Sequence, residues 1–79
     1  QALHCYKTAL KMMEAMLFKD HSFIGHTCYR LAQLYKNNFG MNTEALYFAM
    51  RGQSIMRVNV PSSHPDAIMC KQLVANILN

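Results

Sequence analysis

No pair of cysteines in this 79-residue chain stands at CxxC or CxxxC spacing; Cys5, Cys28 and Cys70 are odd in number and far apart. That excludes the disulfide framework on which small secreted domains depend, and it points to free thiols in a reducing compartment, with the cytoplasm as the expected location. His4, Cys5, His21, His26, Cys28 and Cys70 are the right atoms for zinc. Their spacing matches no finger, ribbon or i,i+4 pair, so neither a metal nor a cofactor is expected. No apolar run approaches the roughly 18 residues of a membrane span; the longest, Ala45 to Met50, is six. The start at Gln1 lacks the succession of charged, apolar and small residues that marks a signal peptide, and reads as an excerpt from a longer chain.

Acidic residues are few. Glu14, Asp20, Glu44 and Asp66 offer no pair for general acid-base work. Cys28 would need a neighbouring base to act as a nucleophile, and His26, two positions away on a helix, points elsewhere. No catalytic residue is expected in this segment. The eight lysines and arginines give a net charge of +4 but are spread along the chain rather than gathered in a run interleaved with aromatics. Specific nucleic-acid binding is therefore not expected, and the charge implies only a preference for acidic partners.

What the chain does have is helical periodicity. Ala2, Leu3, Tyr6, Ala9, Leu10, Met13, Met16 and Leu17 recur at three and four, with Lys7, Lys11 and Glu14 on the other side. Ile24, Cys28, Leu31, Leu34 and Tyr35 form a second stripe. The spacing predicts four helices, at about 1–18, 21–36, 43–57 and 64–79, in one all-α segment covering residues 1–79. Asp20 is the expected N-cap of the second helix, Asn42 or Thr43 that of the third. Gly40 supplies the left-handed stop between them. Met12, Met13, Met16 and Met56 are assigned to the core, as fillers of irregular space.

The stretch "SSHPDA" (62–67) carries a His-Pro-Asp triplet, the signature of a J-domain loop. A J-domain needs a lysine-rich helix before the triplet and a packing helix after it. Here only 13 residues follow Asp66, and 56–63 form no basic helix. Local physics explains the stretch instead: Ser63 and Asp66 match a capping box, Pro65 sits where its missing N–H is harmless, and Asp66 complements the helix dipole.

His21 and His64 stand 43 residues apart, and the same offset sets Ala2-Leu3 on Ala45-Leu46, Met13 on Met56, and Leu34-Tyr35 on Ile77-Leu78. A helix-turn-helix unit of this length, repeated, marks an α-solenoid. "HSFIGHTCYRLAQLY" (21–35) and "HPDAIMCKQLVANIL" (64–78) resemble the A-helix of the long tetratricopeptide repeats of the kinesin-light-chain type. "QALHCYKTALKMMEAML" (1–17) and "TEALYFAMRGQSIMRV" (43–58) resemble its B-helix. Gly52 replaces the family's packing alanine and should cost that helix up to about 1 kcal/mol. The groove-lining asparagine pairs of the family are Tyr29-Arg30 and Gln72-Leu73 here, so cargo specificity does not carry over. A second resemblance, through "IMRV" (55–58) and the His that follows, is to the C-terminal helical lobe of SET-and-MYND lysine methyltransferases, which holds no catalytic residues.

The first resemblance implies a non-catalytic scaffold of stacked helical hairpins that binds a peptide or partner protein along a concave side lined by A-helices. The second implies a lobe that closes over an enzyme's substrate channel. Under the first, the partner-binding residues are His26, Tyr29, Arg30 and Gln33 on one A-helix and Met69, Gln72 and Asn76 on the next, each set sharing a helical face. Since about three repeats are needed to bury a continuous core, further repeats or another domain should pack on this segment.

Overall fold

Residues spaced three and four apart become one face of a helix, and every stripe read above does so. The computed structural model describes residues 2–17 and 21–79. Over these the protein is all-α, with α1 (Ala2–Met16), α2 (Ser22–Asn37), α3 (Asn42–Asn59) and α4 (Pro65–Leu78). The helices take up 84% of the described residues, which contain no strand. The expected limits at Gln1 and Phe18, and the expected cap Asp20, lie outside the described residues.

Consecutive helices pack on one another in chain order. Early α2 meets late α3 at Gly25, Ile55 and Met56, and late α2 meets early α3 where Tyr35 stacks on Phe48 with ring centroids 5.7 Å apart. The two helices therefore run antiparallel. The ion pair of Arg51 with Glu14 spans from α3 to α1, and α2 also touches α4. Thus α1 and α3 lie side by side in one layer and α2 and α4 in the other. The radius of gyration, 11.8 Å, is close to the roughly 11.6 Å expected for a folded chain of this length.

The core is centred on α2. Ile24, Cys28, Leu31 and Ala32 are wholly buried there, and Ala45, Ala49, Ile55 and Met56 meet them from α3. At the crossing point both helices carry glycine. A Cβ on Gly52 would lie 3.3 Å from the Gly25 carbonyl oxygen, and one on Gly25 would lie 2.5 Å from Met56 Cε. Gly52 is thus more than a weak spot in α3: it lets the two backbones touch.

Turns and caps differ in part from expectation. Gly40 does take the left-handed conformation, with φ 63°, and it turns Met41 so that its N–H reaches the Tyr35 carbonyl at 2.8 Å. Neither Asn42 nor Thr43 caps α3; the N-cap is Met41, which gives no side-chain bond. Nor does Ser63 cap α4. The cap is His64, whose Nδ1 accepts from the Asp66 N–H at 3.1 Å, because the residue before a proline is held extended, the conformation an N-cap requires. At α2 the cap is His21, whose Nδ1 accepts from the Phe23 N–H at 3.2 Å. The two histidines, 43 residues apart, have nearly the same backbone, φ/ψ −64°/139° and −66°/140°, and cap their helices in the same way.

The methionine assignment needs correction. Met56 is buried and Met13 half-buried, but Met12 is 59% and Met16 79% exposed. The reason is positional: α1 packs chiefly on α2, and among the described residues no helix covers the flank that carries Met12 and Met16.

Two outcomes follow. Leu31→Ala should lower stability by about 2 to 5 kcal/mol in urea unfolding, as a large-to-small change at a fully buried site. His64→Ala should lower it by about 1 kcal/mol, with His64→Asn restoring most of the loss because asparagine supplies an equivalent acceptor.

Candidate functional site

Packing α2 between α1 and α3 leaves one stripe of α2 uncovered by either, and α4 comes alongside it. The result is a groove made of two adjoining clefts of about 210 and 190 Å³. His26, Tyr29, Arg30 and Met69 line the first; Tyr29, Gln33, Met69, Gln72 and Asn76 line the second. All seven residues singled out in the sequence lie on this groove, with Tyr29 and Met69 shared by both halves.

Its chemistry is mixed. Tyr29 and Met69 supply apolar surface, Met69 being 44% exposed. The Tyr29 hydroxyl accepts from Gln33 Nε2 at 3.2 Å, which ties the ring to its helix. Arg30 is exposed and has no ion-pair partner among the described residues. Lys36, on the second cleft, adds another positive charge. At the other end His26 Nε2 lies 3.5 Å from Asp66 Oδ2, an α2-to-α4 contact across the groove mouth.

Asp66, Lys36, Asn37 and Leu73 were missed as groove residues. For Asp66 the cap reading masked a second role, since one carboxylate both sits in the first turn of α4 and faces His26. The offset signals Leu73, which corresponds to Arg30.

A second cleft, of about 510 Å³, lies between α1 and α3. Lys7, Lys11 and Arg51, separate in the sequence, meet there around Tyr47 and Phe48, with Arg51 already held by Glu14.

His26, Asp66 and Cys70 lie on one cleft, the residue types of a thiol hydrolase. The thiol has the wrong environment. Cys70 is 3% exposed, and burial, then the Asp66 charge, push its pKa up, whereas a nucleophile needs it pulled down. Cys28 is wholly buried, and desolvation pushes it up to about 11, with Arg51 lowering it only in part. Among the described residues no three potential metal ligands converge, and no helix is long and apolar enough to cross a membrane.

In comparisons with known proteins, no family model, curated protein or solved structure matches the chain.

The thiols give a direct check. In the native protein at micromolar dilution and pH 8, a thiol-specific alkylating reagent should modify exposed Cys5 and spare Cys28 and Cys70, with all three reacting in denaturant. The folded state keeps the Cys28 proton to about 11, whereas an unfolded thiol releases it near 9.0. Stability contributed by this site is therefore present below pH 9 and lost as pH rises toward 11. Urea midpoints should fall over that window, and less steeply in Cys28→Ala.

Proposed function

We propose that this segment is a non-catalytic protein-interaction module, a pair of tetratricopeptide-like hairpins whose α2/α4 groove holds an extended or helical peptide. One observation carries the reading: the seven residues that the resemblance and the helical faces single out on two separate helices meet on one groove, with an open arginine beside an apolar floor. Such a surface suits a peptide that offers a carboxylate to Arg30 and an apolar side chain to Tyr29 and Met69. Three cysteines that are all free accord with a reducing compartment such as the cytoplasm.

The reading as a methyltransferase's helical lobe gives the segment the same non-catalytic character, and no observation on the groove favours it over the first.

Peptides selected from a displayed library should be enriched in acidic and apolar residues. Against the best of them, Arg30→Ala and Tyr29→Ala should each weaken Kd at least about fivefold, or roughly 1 kcal/mol, measured by fluorescence anisotropy, with helix content unchanged by circular dichroism. Equal affinity for wild type and both variants would remove the groove from the function.

A further inference from the structure

Lys7 and Lys11 stand four residues apart, which puts both on one face of α1. The fold turns that face toward α3. α1 and α3 lie in one layer with α2 seated between them on the inner side, and their backbones stay apart. On the outer side they enclose the cleft of about 510 Å³, with the two lysines on its α1 wall and Tyr47 on its α3 wall. Buried Leu10 and half-buried Phe48 form its floor, and Tyr47 is 62% exposed.

The cleft does not depend on what precedes α1 or follows α4. By the helical period Cys5, Ala9 and Met16 fall on the opposite side of α1 from Lys7 and Lys11. A helix added before α1 would cover that opposite side, and one added after α4 would lie beyond α3. Neither would fill the space between α1 and α3.

Its charge is unbalanced. Glu14 is the one acidic residue among the described residues that line it, and Glu14 is paired with Arg51. Lys7 and Lys11 have no ion-pair partner among the described residues. With histidine neutral, the cleft therefore carries two uncompensated positive charges beside an apolar floor. Its width suits a helix, because α2 already occupies the inner side of the same furrow. Two carboxylates at i and i+4 of such a helix stand about 5 to 6 Å apart at their Cβ atoms, the spacing of the two lysines themselves. A nucleic-acid strand, charged at every unit, would carry phosphates onto Glu14 as well.

We propose that the α1/α3 cleft is a second docking site, for an acidic helix of a partner protein. That helix sets two carboxylates one turn apart on Lys7 and Lys11, and an apolar side chain against Leu10, Phe48 and Tyr47. The site lies between the helices of the layer opposite α2 and α4, so the proposal does not rest on the groove reading.

Fluorescence anisotropy tests it with a capped, alanine-based helical peptide bearing two glutamates four residues apart and a leucine on the adjoining face. A peptide of the same composition, with the glutamates two apart and so on different faces, is the control. Wild type should bind the first at least about fivefold more tightly than the second. Lys7→Glu/Lys11→Glu should abolish that preference and weaken binding of the first peptide about fivefold or more. Arg57→Glu/Lys71→Glu changes the net charge equally at exposed sites elsewhere, and at physiological ionic strength should leave binding within about twofold of wild type. Lys7 and Lys11 are exposed as well, and circular dichroism checks that each variant keeps its helix content. No binding at millimolar peptide, equal affinity for the two peptides, or equal losses in the two double variants would overturn the proposal. Tighter binding of a single-stranded trinucleotide, which carries the same two negative charges, would overturn it in favour of nucleic acid. Arg30→Ala and Tyr29→Ala should leave this affinity unchanged, so failure here and failure of the groove reading are told apart.

Discussion

The close approach of α2 and α3 at Gly25 and Gly52 sets the geometry on which the other contacts depend. With no side chain on either helix at the crossing, backbone meets backbone, and the neighbouring side chains close around the contact: Met56 and Ile55 over Gly25, Cys28 beside Gly52. A glycine inside a helix costs up to about 1 kcal/mol relative to alanine. Here that cost is set against dense packing of four wholly buried residues of α2, and interiors gain stability from such density rather than from hydrophobicity alone. The distance fixed at this crossing also lets Tyr35 and Phe48 stack flat at the far end of the hairpin, with ring planes 2° from parallel. A wider separation would leave that pair too far apart.

Because α2 lies between α1 and α3 and alongside α4, it is the most covered of the four. Seven of its residues are buried, against five on α3, three on α4 and Leu10 alone on α1. Stability should be graded in the same way, since helices with few buried apolar contacts open locally at lower free energy than the core. The ion pair from Arg51 to Glu14 is one of the few links that hold α1 to the second hairpin. Its exposure limits its worth to the modest range of surface pairs.

The four helices and their faces were legible in the sequence because a period of 3.6 writes itself directly into residue order. Groove residues were legible for the same reason: His26, Tyr29 and Gln33 fall on the one flank of α2 that neither stripe of apolar residues claims. Caps were harder. Ser63 and Asp20 look better than histidine on propensity, and only the extended backbone demanded ahead of Pro65 would have moved the assignment at α4 to His64. The methionines failed for a different reason. Met12 fits the helical pattern as well as Met13 does, but burial depends on whether a second helix covers that flank, which is a property of the array and not of the helix. Asp66 shows the same limit, its local role being readable and its reach across to His26 requiring the fold.

The repeat resolves these failures into one. On α2 one stripe faces α3 and an adjoining one faces the groove, and α4 carries counterparts of both at the 43-residue offset. In α2 the sequence uses small residues and one aromatic for the following helix, Gly25, Cys28, Ala32 and Tyr35; in α4 the same places hold Ile68, Lys71, Ala75 and Leu78. Were the α4 stripe meant only for water, polar residues would fill it, as Gln72 and Asn76 do on the adjoining groove flank. Three apolar residues and one lysine stand instead at the register that is buried on α2. The apolar stripe and the groove flank thus lie on neighbouring sides of one helix, in α4 as in α2.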